Sequence, residues 1–248
     1  MIVYKFGGAS IADVERVKQT AQIIQHHSQE KRLIVISAMG KTTNALEKVA
    51  ESFFLGNNTQ AKQLFENVRN QHNQASKYLC AVRWNEAENQ LNRFYTEVEW
   101  VLHDNPQHNY DYYYDQIVCC GEMLSSSLIY QHITELGANA CWVDVRDIIR
   151  TDNHFREPFV DMAQTKKFVD EKLVPLFDQY DIIITQGFVG CTDENESTTL
   201  GREGSDYTAA LLANAMNAES VSIWKDVESV MSADPRKFPE ASPIAHLS

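Results

Sequence analysis

The chain has 248 residues, of which 44% are hydrophobic and 23% charged, and its formal net charge is −12. This is the composition of a globular domain with a sizeable core. The negative charge argues against a nucleic-acid partner, because no basic stripe is available to neutralise phosphates. No apolar run reaches the roughly 18 residues of a membrane helix, and the first run breaks at Lys5 and Gly7. We therefore expect neither a membrane span nor a signal peptide.

Short apolar runs of strand length recur along the chain, and segments with helical periodicity separate them. The predicted strands are 2–6, 33–37, 139–144, 181–186 and 220–224. The predicted helices are 12–26, 43–54, 161–178 and 205–217, with helix starts near Asp13, at Thr43 or Asn44, at Asp161, and at Ser205 or Asp206. The strands are nearly continuous in hydrophobicity, which is typical of strands buried on both faces. Strands that alternate with helices predict a parallel sheet with helices on both faces.

Residues 58–136 differ from the rest of the chain. They are polar, rich in Gln, Asn and Glu, and contain no convincing strand. We interpret them as an all-helical insertion with helices at about 59–76, 83–103 and 115–135. The run YDYYYD (110–115) is read as a packing or helix-entry segment rather than a platform for stacking nucleotides. No repeat or low-complexity linker is visible, so a single domain is the simplest interpretation.

The five cysteines are an odd, scattered set without CxxC spacing: Cys80, Cys119, Cys120, Cys141 and Cys191. This pattern predicts reduced thiols and a cytoplasmic location. The neighbours Cys119 and Cys120 could form a redox pair, but buried inert thiols are the favoured interpretation.

Two predicted strands end in glycine-containing turns that lead into helices. The first is KFGGAS (5–10) and the second is SAMGKTTN (37–44). Such turns let backbone N–H groups approach an anion at a helix N-terminus, and Lys5 adds a full positive charge. In a parallel sheet both turns would lie at the carboxyl edge, where ligands usually bind. Each turn taken alone is equally well explained as structural.

Three further motifs contain charged residues at positions that suit a ligand. In TTLGREGSDYTAA (198–210), Arg202 lies between Gly201 and Gly204, and an arginine held in this way suits bidentate capture of a carboxylate or phosphate. CCGE (119–122) places Glu122 in a first helical turn, either as a favourable helix-dipole residue or as the partner of an ammonium group. WKDVESVMSADPR (224–236) supplies further charges that could surround a nucleotide or belong to a solvated loop.

Together these motifs resemble those of aspartokinases, members of the amino acid kinase superfamily, in the same order. The resemblance runs from residue 3 to residue 236. It implies a three-layer α/β/α sandwich around a mainly parallel sheet, with the all-helical insertion described above. The implied reaction is transfer of the γ-phosphoryl group of MgATP to the β-carboxylate of L-aspartate. That step opens the routes to lysine, threonine and methionine, and a homodimer is expected from the family.

The residue chemistry is consistent with that reaction. A carboxylate acceptor is ionised at pH 7 and requires no general base. What remains is to position two anions and to stabilise charge on the transferring phosphoryl group. That work needs a lysine, glycine N–H groups and Mg²⁺, and the eight histidines of the chain form no motif.

The resemblance also assigns roles to individual positions. Lys5 would contact the phosphates and stabilise the transition state, and Asp206 would orient Lys5 and help to position the phosphoryl group or the metal, whose ligands stay unknown. The loop and the nucleotide-flanking residues would be Gly7, Gly8, Ser10, Lys225, Asp226, Met231 and Arg236. In the amino-acid pocket, Arg202 would hold the α-carboxylate of aspartate and Glu122 its ammonium group. The pocket would be completed by Ser37, Thr43, Phe188 and Ser205.

The sequence departs from the family pattern at several positions, which are Ala9, Cys119, Glu203, Ser229 and Met231. Glu203 stands where a glycine is usual and adds negative charge beside an anion site. It would repel ATP or aspartate if it pointed inward and would be harmless if it pointed outward. The chain retains Lys5, Glu122, Arg202 and Asp206. These departures are therefore expected to leave an active arrangement of site residues.

The last residues, EASPIAHLS, do not form a closing element. Family members continue with a further catalytic segment and usually a pair of regulatory ACT domains. The expectation is therefore a C-terminally truncated catalytic domain over 1–248, lacking ACT domains and weakly active or inactive by itself.

Three alternatives stay open at this level. The first is a sibling kinase that acts on glutamate, acetylglutamate or a nucleotide. The second is a catalytically impaired binding module, and the third is a generic α/β domain in which all the glycine turns are structural. The pair formed by Arg202 and Glu122 favours a free α-amino acid over the sibling substrates.

Overall fold

Five apolar segments form one parallel sheet, in a computed structural model that describes residues 1–26, 30–225, 229–235 and 237–246. The strands of the chain are β1 Ile2–Phe6, β2 Arg32–Ile36, β3 Ala140–Trp142, β4 Ile182–Gln186, β5 Val189–Cys191, β6 Ser197–Thr199 and β7 Ser220–Trp224. The sheet order is β3-β4-β2-β1-β7, and every pairing in it is parallel. The predicted parallel sheet is confirmed, and each predicted strand is found within a few residues of its expected bounds.

Helices cover both faces of this sheet, as the alternating pattern predicts. They are α1 Val14–His26, α2 Thr42–Phe54, α3 Asn58–Leu79, α4 Trp84–Val101, α5 Tyr110–Val118, α6 Cys120–Glu135, α7 Met162–Phe168 and α8 Gly204–Met216. Helix α6 packs against β2, β3 and β4, and α8 packs against β1, β2 and β7. The result is the three-layer α/β/α architecture. Within the described ranges, no helix combines the length and the apolar character needed to cross a membrane.

Every regular element of the region 58–136 is a helix, but the last of these helices, α6, packs directly against the parallel sheet. The single helix predicted at 115–135 is two helices, α5 and α6, which meet at Cys119. Helix α6 is buried on nearly all sides, since one side faces the sheet and the others face α3, α4 and α5. The run YDYYYD begins α5, with Asn109 as the N-cap, so its interpretation as a helix-entry segment is confirmed.

Several predicted helix boundaries are wrong in detail. Helix α2 has Lys41 at its N-cap position instead of Thr43 or Asn44. The segment 161–178 begins at Asp161 as predicted, but only its first part is an α-helix, followed by a π-helical turn and a 3₁₀ turn. Pro175 lies at the start of the 3₁₀ turn, where its missing N–H group cannot continue α-helical bonding.

A short antiparallel hairpin, β5 paired with β6, was not predicted. Its strands have only three residues each, which is too short for a period of two to be visible in the sequence. The hairpin follows β4 and leads directly into the turn that contains Arg202.

The cysteines are free thiols, and four of the five are buried. Burial raises the pKa of Cys119 to about 12 and holds that of Cys120 well above its usual value. The prediction that this pair is buried is confirmed, and the raised pKa values disfavour the reactive thiolate form near neutral pH.

Candidate active site

The carboxyl ends of β1, β2 and β4 open into a cavity of about 750 Å³. Backbone hydrogen bonds align these ends, since Ser37 N–H donates to Phe6 O and Gly187 N–H donates to Ile36 O. The cavity lies at the edge where ligands bind in parallel α/β sheets. Its walls include most of the predicted site residues: Lys5, Gly8, Ser37, Thr43, Glu122, Phe188, Arg202 and Ser205.

Lys5 lies at the penultimate position of β1, between Val35 of β2 and Ile223 of β7. Its side chain is 6% exposed, and its Nζ lies 2.6 Å from Asp206 Oδ1 in the first turn of α8. The other oxygen of Asp206 lies 2.8 Å from Lys225 Nζ. Burial opposes ionisation of Asp206, but the contacts with Lys225 and Lys5 outweigh it and hold its pKa below the usual value. Two ammonium groups and one carboxylate are thus fixed together at the end of β1.

The two glycine turns pack directly against each other. Gly40 N–H donates to Gly8 O at 3.1 Å, and a Cβ at Gly8 would lie 2.7 Å from Ala38 O. A side chain at residue 8 would therefore collide with the backbone of the second turn. Glycine is needed here because the two main chains approach each other closely. This contact fixes the relative positions of the turns that follow β1 and β2.

Some residues assigned to the nucleotide lie away from the cavity wall. Gly7 N–H and Ser10 Oγ both donate to Trp224 O, at 3.2 Å in each case, so they tie the end of β1 to β7. Met231 forms an isolated bridge with Pro243 and does not line the cavity. The assigned residues Asp226 and Arg236 lie outside the described residues.

Glu122 is a buried carboxylate in the first turn of α6, with 3% exposure. Its Oε1 accepts a hydrogen bond from Ala38 N–H at 3.1 Å, and its Oε2 has no hydrogen-bond partner among the described residues. Burial raises the pKa of Glu122 to about 8, although nearby backbone N–H groups and Lys5 act in the opposite direction. Glu122 therefore offers one oxygen to a donor that the described part of the chain does not supply.

Arg202 lies in the turn before α8, and it is exposed at the cavity wall. Gly201 has a φ of +72°, which favours glycine, and a Cβ there would also lie 3.2 Å from Arg156 O. Among the described residues, no ion pair of Arg202 is found. Its guanidinium is thus available to an anionic ligand in the cavity.

Glu203 is the N-cap residue of α8, in place of the predicted Ser205 or Asp206, and it has a φ of +56° without a side-chain capping bond. Its side chain is 65% exposed, and Oε2 lies 3.4 Å from Lys225 Nζ. The carboxylate of Glu203 is therefore directed to Lys225, and residue 203 also lines the cavity.

The other side of the cavity contains residues that the motifs did not indicate. Thr199 at the end of β6 and Arg156 in the loop before α7 both line the cavity. Thr199 lies within the motif TTLGREGSD and could have been included on that basis. Arg156 lies in a polar loop with no recognisable pattern, so nothing in the sequence pointed to it.

No group of three or more His, Cys, Asp or Glu side chains that could hold a metal ion occurs within the described ranges. Asp206 is the carboxylate nearest to Lys5, and both of its oxygens already contact lysines. The residues present thus fit a metal that arrives with anionic ligands of its own better than a resident metal held by protein alone.

Comparison with known proteins is consistent with this geometry. The sequence profile of the amino acid kinase family matches residues 1–248. The chain belongs to the amino acid kinase family.

Its relatives within that family include aspartokinases. The chain is 33% identical to lysine-sensitive aspartokinase 3 of Escherichia coli, covering 100% of this chain and 54% of the relative. It is 29% identical to the chloroplastic aspartokinase 2 of Arabidopsis thaliana, of which it covers 45%. The structure of E. coli aspartokinase III in complex with aspartate and ADP superposes with a TM-score of 0.89 at 32% identity, covering 98% of this chain and 53% of that chain. The chain thus spans about half the length of these relatives.

Proposed function

We propose that this chain is an aspartokinase catalytic domain, which transfers the γ-phosphoryl group of ATP to the β-carboxylate of L-aspartate. The observation that supports this most strongly is the pair formed by Glu122 and Arg202. Both line one cavity; among the described residues, Glu122 has an oxygen without a hydrogen-bond partner and Arg202 has no ion pair. A free α-amino acid supplies the complement of both, namely an ammonium group for Glu122 and a carboxylate for Arg202.

The ammonium site is more specific than an ordinary surface contact. An unpartnered carboxylate oxygen in a buried position costs free energy, and an ammonium donor would recover it. Ala38 N–H fixes the other oxygen of Glu122, so the orientation of the carboxylate is set before a ligand binds. This preorganisation favours amino acids over dicarboxylic acids of the same length.

The phosphoryl transfer would take place beside Lys5. The acceptor carboxylate of aspartate is ionised at neutral pH, so no protein group has to remove a proton. Lys5 would instead stabilise negative charge on the transferring group, and Asp206 would hold the ammonium of Lys5 in place at 2.6 Å. Gly8 and Gly40 would allow the phosphates to approach the backbone closely.

A magnesium ion would enter with the nucleotide. Mg²⁺ in phosphoryl-transfer sites is commonly held by substrate phosphates, water and one or two carboxylates. The metal would neutralise charge between the phosphates, beside the group formed by Lys5, Asp206 and Lys225. The proposed pathway is the synthesis of lysine, threonine and methionine; the cytoplasmic location and the homodimer stay predictions.

The direct test is product formation. The chain would be incubated with MgATP and L-aspartate, and the acyl phosphate would be trapped with hydroxylamine as a hydroxamate. We expect a hydroxamate that depends on both substrates, formed slowly by this chain by itself, and none with succinate. Formation with glutamate or acetylglutamate but not with aspartate would favour the sibling kinase instead. Binding of aspartate and ATP by calorimetry without any hydroxamate would favour the impaired binding module.

A further inference from the structure

Asp115, in helix α5, is a carboxylate with no exposed surface that holds two separate parts of the cavity wall. Its Oδ2 accepts hydrogen bonds from the backbone N–H groups of Arg156 at 2.8 Å and Thr199 at 2.9 Å. Its Oδ1 accepts a short hydrogen bond from the Thr199 hydroxyl. A single side chain thus satisfies three donors from two segments that are distant in sequence.

Both segments line the cavity, and neither belongs to the parallel sheet. Thr199 ends β6 of the short hairpin, immediately before the turn with Gly201 and Arg202. Arg156 has a φ of +72°, in the left-handed region that is unfavourable for a residue with a side chain. Such a conformation persists where the surroundings hold it, and the hydrogen bond to Asp115 is one such restraint.

Helix α5 also contacts this loop through side chains. Arg156 Nη1 lies 3.1 Å from Asp111 Oδ1, and the Arg156 guanidinium lies 4.5 Å from the centre of the Tyr114 ring. The carbonyl oxygen of Arg156 in turn lies against Gly201, where a Cβ would come within 3.2 Å. The loop is therefore fixed between α5 and the turn that carries Arg202.

We propose that Asp115 is a positioning residue for the cavity wall that contains Arg202, acting through Thr199 and Arg156 on the placement of the Arg202 turn. This inference rests on the proposed function, since it assigns the affected wall to aspartate rather than to the nucleotide. Among the described residues, no hydrogen bond or ion pair joins Asp115 to Lys5, Asp206 or Lys225, so ATP binding is expected to be insensitive to its substitution.

A carboxylate in this fully buried position costs free energy, which its hydrogen bonds have to offset. Burial raises the pKa of Asp115 to about 7, because a charged form is poorly solvated in this position. An apolar side chain would avoid that cost but would leave the three donors that now bind Asp115 without an acceptor. The benefit of the carboxylate is that it accepts three hydrogen bonds, and two of the donors belong to the backbone of the cavity wall.

The test compares Asp115→Ala with Asp115→Asn in steady-state kinetics. Alanine removes all acceptors, whereas an asparagine oxygen can accept from both backbone N–H groups and its amide can donate to the Thr199 hydroxyl. We expect Asp115→Ala to raise the KM for aspartate about tenfold or more, with the KM for ATP changed less than about twofold. Asp115→Asn is expected to stay within about threefold of the wild type for both substrates.

Thr165→Val is the matched control. Thr165 is also fully buried and also accepts a backbone N–H bond, from Arg150 at 3.1 Å, but it does not line the cavity. We expect it to lower the melting temperature without a selective change in the KM for aspartate. If Asp115→Ala does not fold, Thr199→Val and Thr199→Ser provide the same contrast, because serine keeps the hydroxyl bond to Asp115 and valine loses it.

The outcomes separate this inference from the proposed function. A wild-type chain that neither binds nor phosphorylates aspartate contradicts both. A wild-type chain that uses aspartate, together with an Asp115→Ala variant in which both KM values are unchanged or rise equally, overturns the positioning role alone. In the Thr199 pair, equal KM values for the valine and serine variants would also overturn it.

Discussion

The two sides of the cavity differ in how their charges are balanced. On the side at the end of β1, Lys5 and Lys225 both contact Asp206, and Glu203 lies beside Lys225, so the charges are paired within the chain. On the other side, Glu122 has an oxygen without a hydrogen-bond partner, and Arg202 has no ion pair among the described residues. We call these the phosphoryl side and the amino-acid side.

This difference in charge pairing distinguishes groups that suit catalysis from groups that suit recognition of the substrate. Paired groups hold each other in a fixed geometry and lose little when no ligand is present, which suits groups that must be preorganised for a transition state. Groups without partners gain most from a ligand that supplies the missing charges, which suits recognition. Substitutions on the phosphoryl side and on the amino-acid side should therefore affect different steps.

Lys5→Ala should abolish phosphoryl transfer, with a loss in kcat of more than about 10³-fold, because no other group replaces its charge beside the transferring phosphoryl group. The fold should survive, since Lys225 still contacts Asp206. Lys31→Ala is the matched control. Lys31 comes directly before β2 and forms an exposed ion pair with Asp181, with 2.9 Å between Lys31 Nζ and Asp181 Oδ1. Kinetics and thermal unfolding measure both effects. Near-normal turnover in Lys5→Ala would refute the role assigned to the phosphoryl side.

Arg202→Ala should weaken aspartate binding by about 10- to 100-fold, the usual cost of losing hydrogen bonds to a charged group. Its melting temperature should hardly change, since the side chain is exposed. Arg202→Lys should recover only part of the affinity, because an ammonium group lacks the bidentate geometry of a guanidinium. Calorimetry with aspartate and with ATP measures the contrast. A larger loss for ATP than for aspartate would place Arg202 on the phosphoryl side.

The affinity for aspartate should rise with pH between about pH 6.5 and 8, by at most about tenfold per pH unit. The pKa of Glu122 is raised to about 8. The ammonium group of the ligand favours the ionised carboxylate, so binding lowers this pKa and releases a proton. Calorimetry in buffers of different ionisation enthalpy measures that proton. Glu122→Gln should remove both the proton release and the slope; a slope that persists in this variant would contradict the assignment.

The same pKa also predicts the stability of the ligand-free chain. A carboxyl group whose pKa is raised on folding contributes stability below its unfolded pKa, and this is lost as the pH rises to about 8. Glu122→Gln should therefore lose less stability than the wild type over that range, as measured by denaturant unfolding at several pH values.

Glu203→Gly should have the smallest effect. Glu203 is exposed, and its contact with Lys225 is long, so the ATP affinity should change by less than about threefold. Glycine tolerates the φ of +56°, so stability should rise by up to about 1 kcal/mol. Thermal unfolding and ATP titration check both. A large gain in ATP affinity would mean that Glu203 blocks the nucleotide.

The sequence predicted the sheet and the main charges of the site because each lies in a local pattern. Lys5 ends an apolar strand beside glycines, and Arg202 lies between two glycines before a helix, so their positions at a strand or helix end are readable from neighbours. The parallel sheet follows from continuous apolar runs that alternate with helices.

The remaining features depend on contacts between distant segments. Asp115 bonds to Thr199 across 84 positions, and no local pattern indicates such a pairing. The direction of the Glu203 side chain follows from its left-handed backbone and from its contact with Lys225, which comes directly after β7. Gly7 and Ser10 were assigned to phosphates on the basis of their motif, whereas the exposed edge strand β7 takes their hydrogen bonds through Trp224.

The division between the two sides is tested most directly by titrating the chain with L-aspartate, succinate and β-alanine in a calorimeter. Succinate lacks the ammonium group that Glu122 would receive, and β-alanine lacks the α-carboxylate that Arg202 would receive. Both analogues should bind at least about tenfold more weakly than aspartate. Binding of either analogue with the affinity of aspartate would contradict it.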